Sequence, residues 1–189
     1  MLLLVAGLVL FLGVHSVSIF ANGWRNALAA RSEGLWKSGY TVASIAGFAL
    51  ICFGYGQARL DPVWLWVPPA FMSHLIALLM LPVFVLFAAS YLPGRISAAA
   101  KHPQLVAVKL WALAHLLGNG TLADLLLFGT FLTWAVADRI SLKRRTPRTV
   151  PAAPASKAND AIAIGAGLAV YVLFVVWAHK ALIGVAPFG

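Results

Sequence analysis

Glutamate occurs once in this chain, at Glu33, and cysteine once, at Cys52. A lone cysteine excludes an intramolecular disulfide and any multi-cysteine zinc or iron–sulfur site. In an apolar run, Cys52 reads as a small hydrophobe. With five acidic residues in all, no paired carboxylates are available for a metal cage. Also missing are HExxH, GxSxG and a phosphate-binding glycine loop, so hydrolytic and nucleotide-driven chemistry lack their parts. Charge is scarce, at 10% of residues, where a soluble domain carries roughly 25%. No charged side chain precedes Arg25. A secretory signal would have a basic segment before its apolar core, so the first apolar stretch is expected to be retained.

What is present is apolar. Hydrophobic residues make up 62% of the 189, and the mean hydropathy is +0.91. Met1 to Ala21, Ser38 to Ala58 and Ala161 to Ala178 contain no charged side chain, and Val67 to Tyr91 has only the titratable His74. Runs of about 18–25 such residues cross a bilayer core as helices. Gln104 to Leu117 and Leu122 to Val136 are shorter and flank Gly118-Asn119-Gly120-Thr121. They read as a helical hairpin that inserts as a pair. The expected fold is all-α: one polytopic transmembrane bundle of about six helices spanning residues 1–189.

The formal charge of +9 is placed for a membrane rather than for nucleic acid. Arg139, Lys143, Arg144, Arg145, Arg148 and Lys157 fall in one segment, and cytoplasmic loops collect Lys and Arg. With six helices and both termini outside, the cytoplasmic side holds those six with Arg25, Arg31, Lys37, Arg95 and Lys101, eleven of the fourteen basic residues. The basic loop 139–157 is therefore expected in the cytoplasm. Residues 141–159, with Pro147, Pro151 and Pro154, read as a flexible linker touching anionic headgroups. Between Leu92 and Pro103, Ser97-Ala98-Ala99-Ala100 favours a short interfacial helix. Trp24, Trp36, Trp64 and Trp66 fit an aromatic belt at helix ends. Pro82 is expected to kink the third helix, and Gly165 with Ala169 to favour close helix packing.

Polar groups within a membrane are costly and need a reason. The candidates are His15, Ser18, His74, Lys109, His115, Asn119, Asp124, Thr130 and Asp138. His179 reads as interfacial, and His102 before Pro103 as a helix mouth. His15, His74 and His115 lie deeper, on three different helices. Trp111, His115 and Asn119 recur at i, i+4, i+8 on one face, and His15, Ser18 and Asn22 share another. Neutral imidazoles without cysteines or carboxylates best suit haem iron, held by two imidazoles or by one with an open position. His102 and His115 are about 20 Å apart along one helix and cannot share an iron. Depth pairs His115 with His74, and a tilted first helix would instead bring in His15. The pattern assigns no catalytic residue.

The segment from Lys101-His102-Pro103 through Trp111 and His115 to Asn119-Gly120, with the early His15-Ser16 and the Ser73-His74-Leu75 segment, resembles the NnrU family over nearly the whole chain. The pattern His-Pro-x11-His-x3-Asn carries the likeness. It implies a bacterial inner-membrane protein linked to nitrite and nitric oxide reduction, with denitrification or redox partners. The family is similar in turn to plant 15-cis-zeta-carotene isomerases, which implies haem b at His115 and His15, with His102, Trp111 and Asn119 nearby. Two departures stand out: Ala112 replaces that enzyme's cysteine, and its later histidine pair is missing, with Trp134 and Asp138 in that region. Haem binding is thus implied, and carotenoid isomerisation is not. A weaker likeness is to small membrane methyltransferases with a basic-His-Pro segment, but this chain lacks their later acidic residues. The opposing class is a non-catalytic assembly protein whose histidines only pack.

Overall fold

The computed structural model describes residues 1–146, 148 and 151–188. Pro147, which falls in the expected linker, lies outside the described residues with Thr149, Val150 and Gly189. The chain forms two compact units, Met1–Val67 with Gly120–Thr146 and Pro68–Asn119 with Pro147–Gly189. Helices dominate, and Trp64 and Thr121 form an isolated antiparallel bridge.

The first unit contains α1 (Leu2–Phe20), α2 (Asn22–Arg31), α3 (Glu33–Ala58) and α7 (Leu122–Ser141). Helix α2 forms where the sequence reading placed only a basic loop. Glycine determines how α1 meets α3. A Cβ added to Gly7 would lie 2.6 Å from the Ile51 nitrogen, and one on Gly47 2.7 Å from the Phe11 nitrogen. One on Gly54 would strike the Leu4 backbone. These three contacts run antiparallel along the pair, with backbone against backbone, as small residues permit in membranes. Leu4 is fully buried in this seam.

Helix α7 packs on α1 and α3. It starts with a capping box: Thr121 Oγ1 accepts the Asp124 N–H, and Asp124 accepts the Thr121 N–H and hydroxyl at 3.0 and 2.6 Å. This satisfies backbone donors that the first turn leaves without helical partners. Gly120 O accepts the N–H groups of Leu65 and Trp66, and Val63 O accepts that of Leu122. A Cβ on Gly120 would collide with Trp66 O.

The second unit contains α4 (Met72–Ala89), α5 (Arg95–Ala100), α6 (Pro103–Gly118), α8 (Asn159–Leu173), a π-helical turn (Phe174–Ala178) and α9 (His179–Ile183). Helix α4 packs on both α6 and α8. Pro82 lies inside α4. The close approach to α8 is made by Gly167, whose added Cβ would lie 2.5 Å from the Val85 backbone. Gly165, expected to serve this role, has nothing within 4 Å. The buried small pair is Ala163 and Gly167, one face away from the expected one. Tyr171 donates its hydroxyl to Ala77 O at 3.0 Å.

Among the described residues four helices are long and apolar enough to cross a membrane: Leu2–Phe20, Glu33–Ala58, Met72–Ala89 and Asn159–Ile183. The expectation of about six is thus met by four. Helix α6 has 16 residues, about 24 Å of rise against a core of about 30 Å. Helix α7 is longer but carries Asp124, Asp138 and Arg139. Within its own unit α6 packs on α4, and within its own unit α7 packs on α1 and α3.

Candidate functional site

In the second unit, α6 begins at the motif that drew attention in the sequence. His102 is its N-cap and Pro103 its first residue, where a missing N–H costs nothing. Lys101, just before, has φ 61° and is the one non-glycine with positive φ among the described residues. Such a backbone persists only where its surroundings hold it. Ala107, Ala112 and Ala114 are fully buried in this unit.

His115 and Trp111 are half-buried, with ring centroids 5.5 Å apart. His115 Nδ1 lies 2.8 Å from Trp111 O. A carbonyl only accepts, so Nδ1 carries the proton and, in the neutral ring, the lone pair is on Nε2. This is the arrangement of a metal-ligating histidine, whose second nitrogen donates to a fixed acceptor. One turn on, Asn119 Nδ2 donates to His115 O at 2.9 Å. The expected face of Trp111, His115 and Asn119 is therefore a hydrogen-bonded series: the Trp111 carbonyl fixes the imidazole, and Asn119 ties the His115 backbone carbonyl at the helix end.

His15 has the same geometry in the first unit. Its Nδ1 donates to Phe11 O at 2.6 Å. Its ring stacks on Phe11 at 4.2 Å, with Tyr40 at 5.1 Å and Trp134 edge-on at 6.0 Å. Half-buried among aromatic rings, this imidazole is held in both orientation and tautomer.

His74 differs. Helix α4 starts at Met72 rather than Val67, because Pro68 and Pro69 oppose helix at their own and preceding positions. His74 is thus in the first turn, exposed, 3.5 Å from Ser73 Oγ and 6.0 Å from the Phe188 ring. Its expected depth of about 10 Å falls to about 3 Å of helical rise. His179 donates Nδ1 to Val185 O at 2.6 Å, closing the chain end. Lys109 is half-buried on α6. Among the described residues no group of three or more His, Cys, Asp or Glu side chains could hold a metal ion, so ligation would rest on imidazoles acting singly or in pairs.

One polar cluster was not assembled from sequence. Asp124, only 4% exposed, accepts the Tyr55 hydroxyl at 2.5 Å besides closing its capping box. Its carboxylate is therefore consumed by structural donors. The Thr121-x-x-Asp124 spacing signalled the cap, but nothing in the sequence pointed to Tyr55, 69 residues away.

The family model described as NnrU protein matches residues 3–187. No curated protein and no solved structure matches the chain.

Proposed function

The chain belongs to the NnrU family, and from that premise we propose a membrane haem b protein in which His115 ligates the iron. It would serve nitrite or nitric oxide reduction, or another redox or isomerisation reaction in the bilayer. The observation that carries this is the hydrogen bond from His115 Nδ1 to Trp111 O. It leaves Nε2 as the basic nitrogen on a half-buried ring, as a backbone carbonyl does for ligating imidazoles. Trp111 holds that ring, Asn119 caps the backbone carbonyl of His115, and His102 with Pro103 fixes the start of the helix that presents it. Bound haem would supply an iron centre for electron transfer or small-ligand binding. His15, with the same tautomer, is the second candidate ligand, ahead of the exposed His74.

Absorption spectra of detergent-purified protein made with ample haem test this. Wild type should show a Soret band that shifts on reduction. His115→Ala should lose or strongly shift it while the protein still inserts in membranes. His15→Ala and His74→Ala report whether either supplies another ligand. A colourless wild type would sink the proposal and leave the histidines to packing.

A further inference from the structure

The first unit holds an open groove of about 430 Å³ between α1 and α7. Its walls include Leu12, Ser16 and Phe20 from α1 and Gly129, Thr133 and Trp134 from α7. The lining is apolar in effect, since Thr133 turns its hydroxyl onto Gly129 O at 2.8 Å. One end is different. Trp134 Nε1 is buried and donates to nothing. Asp138, one turn further along the same face, pairs with Arg145 at 2.5 Å, each side chain only 13% exposed. Arg145 Nη1 is also buried without a partner. Arg25 Nε, on a guanidinium 5.4 Å above the Trp36 ring, is the third such donor. All three buried side-chain nitrogens without partners among the described residues thus lie in this unit.

Buried N–H groups left without acceptors are costly. Two of the three, on Trp134 and Arg145, sit by a strongly basic stretch, where Arg139, Lys143, Arg144 and Arg145 outnumber Asp138. An apolar slot lined at one end by Trp134, with the Asp138–Arg145 pair on from it and excess positive charge around that pair, complements a molecule with a hydrocarbon tail and an anionic head. We infer that this groove is a binding site for an anionic phospholipid, with an acyl chain along α1 and α7 and the phosphodiester at Trp134 and Arg145. Guanidinium and indole N–H groups are suitable donors for phosphate and ester oxygens. Asp138 holds the Arg145 side chain in place and leaves Nη1 to the lipid.

Lipid binding by the purified full chain tests this, read by native mass spectrometry in mild detergent. The probes are phosphatidylglycerol, phosphatidylcholine with the same acyl chains, and inorganic phosphate. Wild type should retain phosphatidylglycerol roughly tenfold better than phosphatidylcholine, as a charge-assisted contact would give. Phosphate should not compete with it. The Asp138→Asn/Arg145→Gln double variant removes the pair together and should lose the preference for the anionic head. Trp134→Phe keeps the ring and should weaken retention of both lipids. Gly129→Leu fills the groove; the Gly129 Cβ position meets only Leu125 Cδ1, at 3.7 Å, so the helix tolerates it while acyl binding should fall. Equal retention of the two lipids by wild type, competition by free phosphate, or unaltered lipid binding by Gly129→Leu would each overturn the site.

Discussion

The two units solve the same problem differently. Each must hold apolar helices together where lipid offers hydrocarbon as good as any neighbour. The first does so with backbone contact, through Gly7, Gly47 and Gly54 along one pair of helices. The second has one such contact between α4 and α8, at Gly167, and adds polar staples: Tyr171 to Ala77 O, Asn159 to Pro93 O, and Asp160 to the first amides of α5. A seam of three glycines fixes register along a whole helix pair. Single staples fix points and leave the helices between them freer to adjust.

The sharpest way to break this contrast is to put a side chain into the seam. Gly54→Val should cost about 3 kcal/mol or more, because the Cβ would meet the Leu4 backbone and neighbouring glycines block a shift. Yield of monodisperse protein and thermal stability in detergent measure it. Gly167→Val should be milder, since α8 has a single close contact to move away from. Gly56→Ala, with open space around it, should be neutral. Equal losses at Gly54 and Gly56 would mean that the seam does not hold the unit.

Asp124 sharpens the comparison at a buried polar point. Asp124→Ala leaves the Tyr55 hydroxyl and the Thr121 amide without their acceptor. About 2–3 kcal/mol of stability should go, as when a buried hydrogen-bond partner is deleted. Tyr55→Phe should cost less, about 1 kcal/mol, since the capping box survives. Both are read by thermal unfolding. If Tyr55→Phe proves the more harmful, the carboxylate is not the centre of the cluster.

What was legible in the sequence follows the range of the interactions. Four long apolar runs announced four long helices, because bilayer thickness is a local constraint on length. The face carrying Trp111, His115 and Asn119 followed from helical period alone. Its meaning did not, since the tautomer of His115 depends on a backbone carbonyl that only coordinates reveal. Helix α4 starts at Met72, past Pro68 and Pro69, and not where the apolar run begins at Val67, because hydropathy reports apolar length while proline restricts the backbone. On α8 the pairs Ala163–Gly167 and Gly165–Ala169 share one small-residue spacing, and composition cannot say which face meets a neighbour. Contacts such as Tyr55 with Asp124 join residues far apart in sequence, and no local pattern encodes them.

The smallest effect concerns Asp160, where the second unit is pinned to its linker. Its Oδ2 accepts the Arg95 N–H at 2.9 Å and its Oδ1 the Ile96 N–H at 3.1 Å. Both donors belong to the first turn of α5, whose amides lack helical acceptors. Nearby, Asn159 Nδ2 reaches Pro93 O and Pro154 O, and Ala153 N–H reaches Tyr91 O. Residues 153–159 of the expected flexible segment, and Asp160 just after it, are thus tied to the turn at 91–96. Asp160→Asn keeps the shape but offers one acceptor oxygen and turns an NH₂ toward the other amide. One bond is lost and two donors face each other, so about 1 kcal/mol of local stability should go. Hydrogen exchange of the Arg95 and Ile96 amides should quicken about fivefold, while the amides of α3 in the first unit should not change. Faster exchange spread through both units would mean that Asp160 supports the whole molecule, and the division into a seamed unit and a stapled one would fail.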